Sequence, residues 1–470
     1  MECFLMIRCK GELKMTLTNK AFKAYDVRGV YPDEVNEEMA YRMGRIFSAM
    51  YAAETVVVGH DIRLSGRVLV DALSEGLRHG GTKVFDIGQC GTEMIYFATS
   101  YLDADGGIMV TASHNPKEYN GMKLVRRGAR PISSDTGLKE IGEMVAADGD
   151  FVHGLVPGKS LGAVESIDIT APYIGHLLTY INKDTLKPMK IVAGPGNGGA
   201  GPIVKELARS LPFEFIYLND TPDGSFPNGV PNPLLIENRD ATAKLVKETG
   251  ADLGIAWDGD FDRCFFFDEN AEFIEGYYIV GLLAEAFLEK EPGAKIMFDP
   301  RLTWNTEEII ARKGGVPVRC KSGHAFMKEC MRNNDVVYGG EMSAHHYFRD
   351  FTCCDSGMVP WLLVTELICK TGKSLSQLVG ERVGLYPCSG EINRKVEDSA
   401  AVLAKLAEVY ADGEQDRMDG LSVQYDNWRF NVRVSNTEPV MRLNVETRAD
   451  KALLTKKTSE LLELIGGEEA

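Results

Sequence analysis

Short apolar runs, each closed by a polar or glycine-rich turn, recur along the whole chain. Examples are Thr55-Val-Val-Val-Gly59, Gly107-Ile-Met-Val-Thr111, Lys190-Ile-Val-Ala-Gly194, Leu253-Gly-Ile-Ala-Trp257 and Lys295-Ile-Met-Phe-Asp299. Runs of this length and make-up predict buried strands. Between them lie stretches with helical spacing. Over 35–51, Val35, Met39, Met43, Ile46, Phe47 and Met50 fall on one face, and over 66–79 so do Val68, Leu69, Ala72, Leu73 and Leu77. Alternating strand and helix predicts α/β units with largely parallel strands and right-handed crossovers. Active groups then gather in loops beyond the strands' carboxyl ends.

The punctuation between these elements divides the chain. Its 470 residues suffice for three or four domains of roughly 100–200 residues each. A loop-rich stretch runs from Asp148 to Val164, a Pro/Gly/Asn-rich loop from Thr221 to Pro233, and after Pro387 the character changes to a smaller α+β segment ending in a helix over 451–465. The expected division is an N-terminal extension, 1–14, three α/β units over 15–160, 161–271 and 272–385, and an α+β unit over 386–470. No short-period repeat is visible. The apolar run Cys3 to Ile7 follows Glu2 and lacks the basic start and longer apolar core of a signal peptide. Nothing approaches the roughly 18–20 apolar residues of a membrane span.

Charge narrows the partners. With 68 acidic against 52 basic side chains the formal net charge is −16, which disfavours nucleic acid or an anionic membrane as the main partner. An anionic substrate would need basic residues gathered locally. The ten cysteines form no CxxC pair, so they read as reduced structural thiols in a cytoplasmic protein.

Five segments could carry chemistry. Thr111-Ala-Ser113-His114-Asn115-Pro116 follows a strand; Ser113 is either an exposed nucleophile or part of a capping turn. In Asp258-Gly-Asp260-Phe-Asp262-Arg263, carboxylates at i, i+2 and i+4 of an extended segment would point to one side and suit Mg²⁺. Like charges so massed repel unless a cation offsets them. An EF-hand, with Glu269 at its twelfth position, fails because Arg263 replaces the required glycine.

The third segment, Gly194-Pro-Gly196-Asn-Gly198-Gly199-Ala-Gly201 with Asp220 beyond it, contains a dinucleotide fingerprint or is simply a tight strand-to-helix turn. Arg433-Val-Ser435-Asn436-Thr437-Glu-Pro439 is a candidate anion nest. Gly340-Glu341-Met-Ser343-Ala-His345-His346 could bind sugar hydroxyls or move protons, although the histidine pair alone is as easily structural.

Taken in order, and with Phe22-Lys-Ala-Tyr-Asp-Val-Arg28-Gly29 as an opening motif, these segments resemble the α-D-phosphohexomutase family, especially its bacterial phosphomannomutase branch. The resemblance runs from about Phe22 to Glu446. It implies three similar α/β domains with mixed, largely parallel sheets and a C-terminal α+β domain around a central cleft. Ser113 would carry the phosphoryl group and, with Asp258, Asp260 and Asp262, bind Mg²⁺. Arg28, His114, Lys123 and Arg263 would surround the transfer site, and Arg301 and His324 would face the substrate. Glu341 and Ser343 would hold sugar hydroxyls, His345 would lie near the reacting end, and Arg433, Ser435, Asn436 and Thr437 would grip the distant phosphate.

The implied reaction interconverts mannose 6-phosphate and mannose 1-phosphate through phosphorylated Ser113, with a hexose 1,6-bisphosphate as intermediate and activator. The implied partners are hexose phosphates, with no nucleic acid or membrane, and the implied state is a monomer or homodimer. Lys123, His345 and Arg28 all stand as candidates for the general base. His60 departs from the arginine more usual in that segment, Gly91-Thr92-Glu93-Met94 lacks the usual Thr-Pro step, and Gly229 leans towards the phosphomannomutase branch. Phosphoglucomutase or dual specificity is the alternative within the family, and the glycine fingerprint keeps an NAD(P)-dependent oxidoreductase as a remote one.

Overall fold

A computed structural model of the chain describes residues 17–147, 153–435 and 440–469. The expected extension, 1–14, and the residues Asn436 and Thr437 lie outside the described residues.

The strand pattern resolves into one unit used three times. In the first, Thr55–His60 pairs in parallel with Lys83–Gln89 and with Gly106–Val110, and Tyr119–Arg126 returns antiparallel to Gly106–Val110. In the second, Lys190–Gly194 pairs in parallel with Glu214–Tyr217 and Leu253–Trp257, and Cys264–Phe267 returns antiparallel. In the third, Lys295–Phe298 pairs in parallel with Val316–Arg319 and Tyr338–Gly340, and His346–Phe348 returns antiparallel. Each unit therefore has its first strand inside, flanked by the second and third, with the fourth strand beyond the third. The repetition is one of topology and leaves no short-period trace in the sequence.

This topology positions the chemistry. The turn from third to fourth strand opens at a carboxyl end, where α/β sheets place their ligands. In the three units that turn carries Ser113, then Asp258 to Arg263, then Glu341 to His345.

The predicted helices form as Glu37–Met50 and Gly66–His79. Two expected core positions turn outward: Met50 is 41% and Val68 42% exposed, and Val70 is buried instead. The buried stripe of the second helix follows Leu69, Val70, Leu73 and Leu77, which leaves Val68 about 100° to one side. The two helices touch through glycines, since a Cβ on Gly44 would lie 2.3 Å from the Leu73 carbonyl oxygen and one on Gly76 2.0 Å from that of Tyr41.

One apolar cluster joins the three α/β units, running from Ile95 and Tyr96 through Ile191 and Trp257 to Phe298 and Trp361. The C-terminal unit has a core of its own. Its antiparallel sheet, with Trp428–Val434 and Met441–Thr447 at the centre, alternates apolar and polar positions. Phe430, Val432, Leu443 and Val445 enter that core. Arg429, on the other face, donates to the Pro300 and Arg301 carbonyls and pairs with Glu446 at 2.7 Å. Polar contacts thus dock the last unit on the third. Among the described residues no helix is long and apolar enough to cross a membrane.

Candidate active site

The three repeated turns converge on one cleft of about 620 Å³, which the C-terminal unit closes with Glu391, Arg433 and Arg442. Ser113 sits in the turn after Gly106–Val110 with φ of 49°, a left-handed conformation unusual for a residue with a side chain. Its N–H donates to Thr111 Oγ1 at 2.8 Å. Its Oγ donates to Asp258 Oδ2 at 3.0 Å and lies 3.1 Å from His114 Nδ1.

The acidic segment is a tight turn, not the extended strand expected, with Phe261 at φ of 47° and its ring buried. The three carboxylates converge because the chain wraps around them. All three are buried, and one oxygen from each lies within 4.8 Å of the others. Lys123 Nζ bridges two of them, 2.7 Å from Asp260 Oδ2 and 2.6 Å from Asp262 Oδ2. Arg263 Nε donates to Asp258 Oδ2 at 2.8 Å, and its Nη2 contacts His114 Nδ1. Thr92 Oγ1 donates to Asp260 Oδ2 at 2.5 Å.

Asp260 Oδ1 and Asp262 Oδ1 are buried without a hydrogen-bond partner. Two orphaned anionic oxygens beside a third carboxylate fit a hard divalent cation. The electrostatics agree. Burial opposes ionisation of Asp260, but Lys123 and its hydrogen bonds hold it well below the carboxylate range. Burial and the Asp260 charge push Asp262 up to about 6. Burial and the Arg263 charge keep His114 well below the usual histidine value.

Arg28 reaches the same region, with Nε 2.7 Å from Asp26 and Nη1 donating to Asn115 at 2.5 Å. His345 Nδ1 lies 3.0 Å from Asp355 Oδ2 and 3.9 Å from Asp262 Oδ1. Asp355 in turn pairs with the fully buried Lys328 at 2.7 Å. His346 turns away and bonds Tyr338 Oη at 2.8 Å, so the histidine pair divides between cleft and core.

Arg301, also in the cleft lining, is occupied by protein groups: Asp299 at 2.8 Å, Ser343 at 3.2 Å, Glu341 at 3.3 Å and Glu391 at 3.1 Å. His324 borders the cleft against the Tyr25 ring. Burial and the nearby Lys328 hold it well below the usual histidine value. Arg433 and Arg442 converge on the carboxylate of Glu391 at 3.7 and 3.0 Å.

Two segments resolve differently from their motifs. The glycine-rich turn at 194–201 borders none of this cleft. A Cβ on Gly201 would lie 1.9 Å from the Asp220 carbonyl oxygen, and the Asp220 carboxylate pairs with Lys205. Glu269 accepts hydrogen bonds from Ser374 and Ser376 instead of joining the acidic turn.

The sequence reading missed Glu93, Asp355 and Glu391. Glu93 accepts from Tyr173 Oη, Ser356 Oγ and the Gly357 N–H, at 2.5, 2.7 and 2.5 Å, and so ties the three α/β units together. Its one signal was the unusual Thr92-Glu93-Met94 step. Asp355 and Glu391 stand in segments with no distinctive spacing.

Comparison with known proteins identifies the family. Four family profiles, all described as phosphoglucomutase/phosphomannomutase, match in order: alpha/beta/alpha domain I over 19–150, domain II over 171–272, domain III over 275–386 and the C-terminal domain over 391–464. A relative described as "Phosphohexose mutases" from Xanthomonas campestris pv. campestris is 58% identical over 453 residues, which is 96% of this chain and 100% of the relative. A phosphomannomutase from Salmonella montevideo is 56% identical over 451 residues, covering 94% of this chain and 98% of that one. The crystal structure of a phosphoglucomutase/phosphomannomutase family protein from Burkholderia thailandensis superposes with a TM-score of 0.83 at 32% identity, covering 96% of this chain and 99% of that one. The chain belongs to the phosphoglucomutase/phosphomannomutase family of phosphohexomutases, whose members are isomerases that transfer phosphoryl groups within a sugar phosphate.

Proposed function

We propose that this protein is a phosphomannomutase, interconverting mannose 6-phosphate and mannose 1-phosphate through a phosphorylated Ser113. The observation that carries the reading is the place of the Ser113 hydroxyl. It lies 3.0 Å from Asp258, in a cleft where buried carboxylates and cationic side chains meet.

In the proposed cycle, phosphorylated Ser113 gives its phosphoryl group to the free 1- or 6-hydroxyl of the bound sugar phosphate. The bond from phosphorus to the serine oxygen breaks, the bond to the sugar oxygen forms, and the hydroxyl proton passes to a base. The product is a hexose 1,6-bisphosphate. After turning in the cleft, it returns its other phosphoryl group to Ser113 and leaves as the isomeric monophosphate. A trace of the same bisphosphate activates enzyme that has lost its phosphate.

Asp258, Asp260 and Asp262, with an oxygen of phosphorylated Ser113, would hold Mg²⁺, which supplies charge neutralisation at the transferring group. Arg263, Arg28 and Lys123 add fixed positive charge on the protein side, where transfer needs positioning and neutralisation more than covalent chemistry. His114, which contacts Arg263, helps to hold that group at the serine. His345 is the proposed base. Its Nδ1 stands 3.0 Å from Asp355 Oδ2, whereas Lys123 and Arg28 are engaged as cations by Asp260, Asp262 and Asp26.

Glu341 and Ser343 are proposed to hold sugar hydroxyls, with Arg301 and His324 framing them. Arg433 and Ser435, with Asn436 and Thr437 from outside the described residues, are proposed to grip the phosphate that does not react. Binding energy from that distant group positions the reacting one.

Relatives named phosphomannomutase at 52–56% identity favour mannose over glucose. The test is turnover of mannose 1-phosphate to mannose 6-phosphate with Mg²⁺ and a trace of hexose 1,6-bisphosphate, with glucose 1-phosphate in parallel. A higher kcat/KM for the mannose substrate is expected. Equal values would establish dual specificity, and no turnover of either would refute the reading.

A further inference from the structure

One fully buried cation lies beneath the Ser113 turn and takes no part in the cycle above. Arg63 follows the strand Thr55–His60, and its side chain is 0% exposed. Its guanidinium donates to four main-chain carbonyls of a single loop. Nη2 reaches Ser113 O at 2.9 Å and Asn115 O at 2.6 Å, and Nη1 reaches Pro116 O at 2.7 Å and Tyr119 O at 2.8 Å.

The neighbouring Asp61 completes the grip. Its Oδ1 accepts from the Arg63 N–H at 2.9 Å and its Oδ2 accepts from Thr111 Oγ1 at 2.6 Å. Thr111 Oγ1 is the atom that accepts from the Ser113 N–H. Both peptide groups flanking the Ser113 Cα are therefore held, one through Thr111 and Asp61 and the other by Arg63. The second unit closes over the pair: the Phe226 ring centre lies 5.4 Å from the Arg63 guanidinium carbon.

We infer that Arg63 is a positioning residue for phosphoryl transfer, holding the 113–119 turn so that the Ser113 oxygen faces the acidic turn. The inference rests on the proposed mutase reading. A left-handed φ at a serine persists only where the surroundings over-determine it, and buried carbonyls that turn inward need donors. Only a planar fork with several diverging N–H groups can serve four carbonyls at once. A lysine at this position would offer three donors from one point. Misplacing a reacting atom by about 1 Å can cost about 10²-fold in rate, so the grip bears on kcat. The proposed phosphate and sugar contacts lie elsewhere, so it bears little on KM.

The test compares wild type, Arg63→Lys and Arg63→Ala in the mannose 1-phosphate assay, with thermal unfolding measured alongside. Arg63→Ala is expected to lower kcat about 10²-fold while KM stays within about threefold. Millimolar guanidinium, well below denaturing levels, should recover part of the loss by refilling the vacated site. Arg63→Lys should fold and still fall well short of wild-type kcat; it carries the test alone if Arg63→Ala does not fold. Wild-type kcat in a folded Arg63→Lys or Arg63→Ala enzyme would overturn the inference, as would a loss that only follows the unfolded fraction. An inactive wild type would instead refute the mutase reading itself.

Discussion

The two ends of the cleft are built on opposite plans. At the Ser113 end, three acidic and several basic side chains are buried where units one and two meet, walled by the apolar cluster common to all three α/β units. Their charges neutralise one another within the protein, as Lys123 does for Asp260 and Asp262. At the far end, Arg433 and Arg442 come from a unit with its own core, and their counter-ion is Glu391 of the same unit. Arg301 of the third unit meets the same carboxylate. The first plan suits the fixed geometry that the proposed transfer needs. The second leaves a cluster of arginines round one carboxylate, in a unit docked by polar contacts, with Arg433 among them proposed above to take the non-reacting phosphate.

Substitutions at the two ends should therefore fail in different ways. The largest effect is expected for Ser113→Ala, which removes the proposed phosphoryl carrier. Its kcat should fall at least about 10³-fold, equivalent to about 4 kcal/mol or more of barrier, in an enzyme that unfolds at the wild-type temperature. Substantial turnover by this variant would contradict a phosphoserine cycle.

Arg433→Ala comes next and should act chiefly on binding. A charge-assisted hydrogen bond contributes about 1.5–3 kcal/mol, so KM for the sugar phosphate should rise about 10- to 100-fold. Steady-state kinetics would separate this from a loss of kcat. An effect confined to kcat would erase the distinction between the two ends.

The smallest effect concerns pH. Burial alone would raise the Glu391 pKa, but Arg442, Arg301 and Arg433 outweigh it and lower it from an ordinary 4.5 to about 2. Between these values the unfolded chain binds the proton more readily than the folded one. The stabilisation is thus complete above about pH 4.5 and is lost as pH falls towards 2. Urea unfolding of wild type and Glu391→Gln at pH 6 and at pH 3 should show the stability gap narrowing at the lower pH. A gap that stays constant would mean that Glu391 is not the ionised partner of those arginines.

Much of this was legible along the chain. The apolar runs located the strands, and the ordered motifs located Ser113, the acidic turn, Glu341 to His345 and Arg433. Side-chain direction within a turn was less accessible. The acidic segment was expected to be extended, and it is a wrapped turn because Phe261 adopts a left-handed φ and buries its ring. Arg301 lines the cleft, but its ties to Asp299, Glu341, Ser343 and Glu391 could not be read from the chain. Glu93 shows only as the unusual Thr92-Glu93-Met94 step, and Asp355 and Glu391 carry no local signal, since each acquires partners from segments far away in the chain.

By itself the sequence determined the alternation of strand and helix and marked the candidate site segments, because both depend on residue type and short spacing. Only the tertiary structure decided that one four-stranded unit is used three times, that its third turn faces the same cleft each time, and that Arg63 lies beneath Ser113. Strand order and the meeting of distant side chains arise from packing between elements separated by tens to hundreds of residues, and no local pattern of apolar and polar positions encodes them.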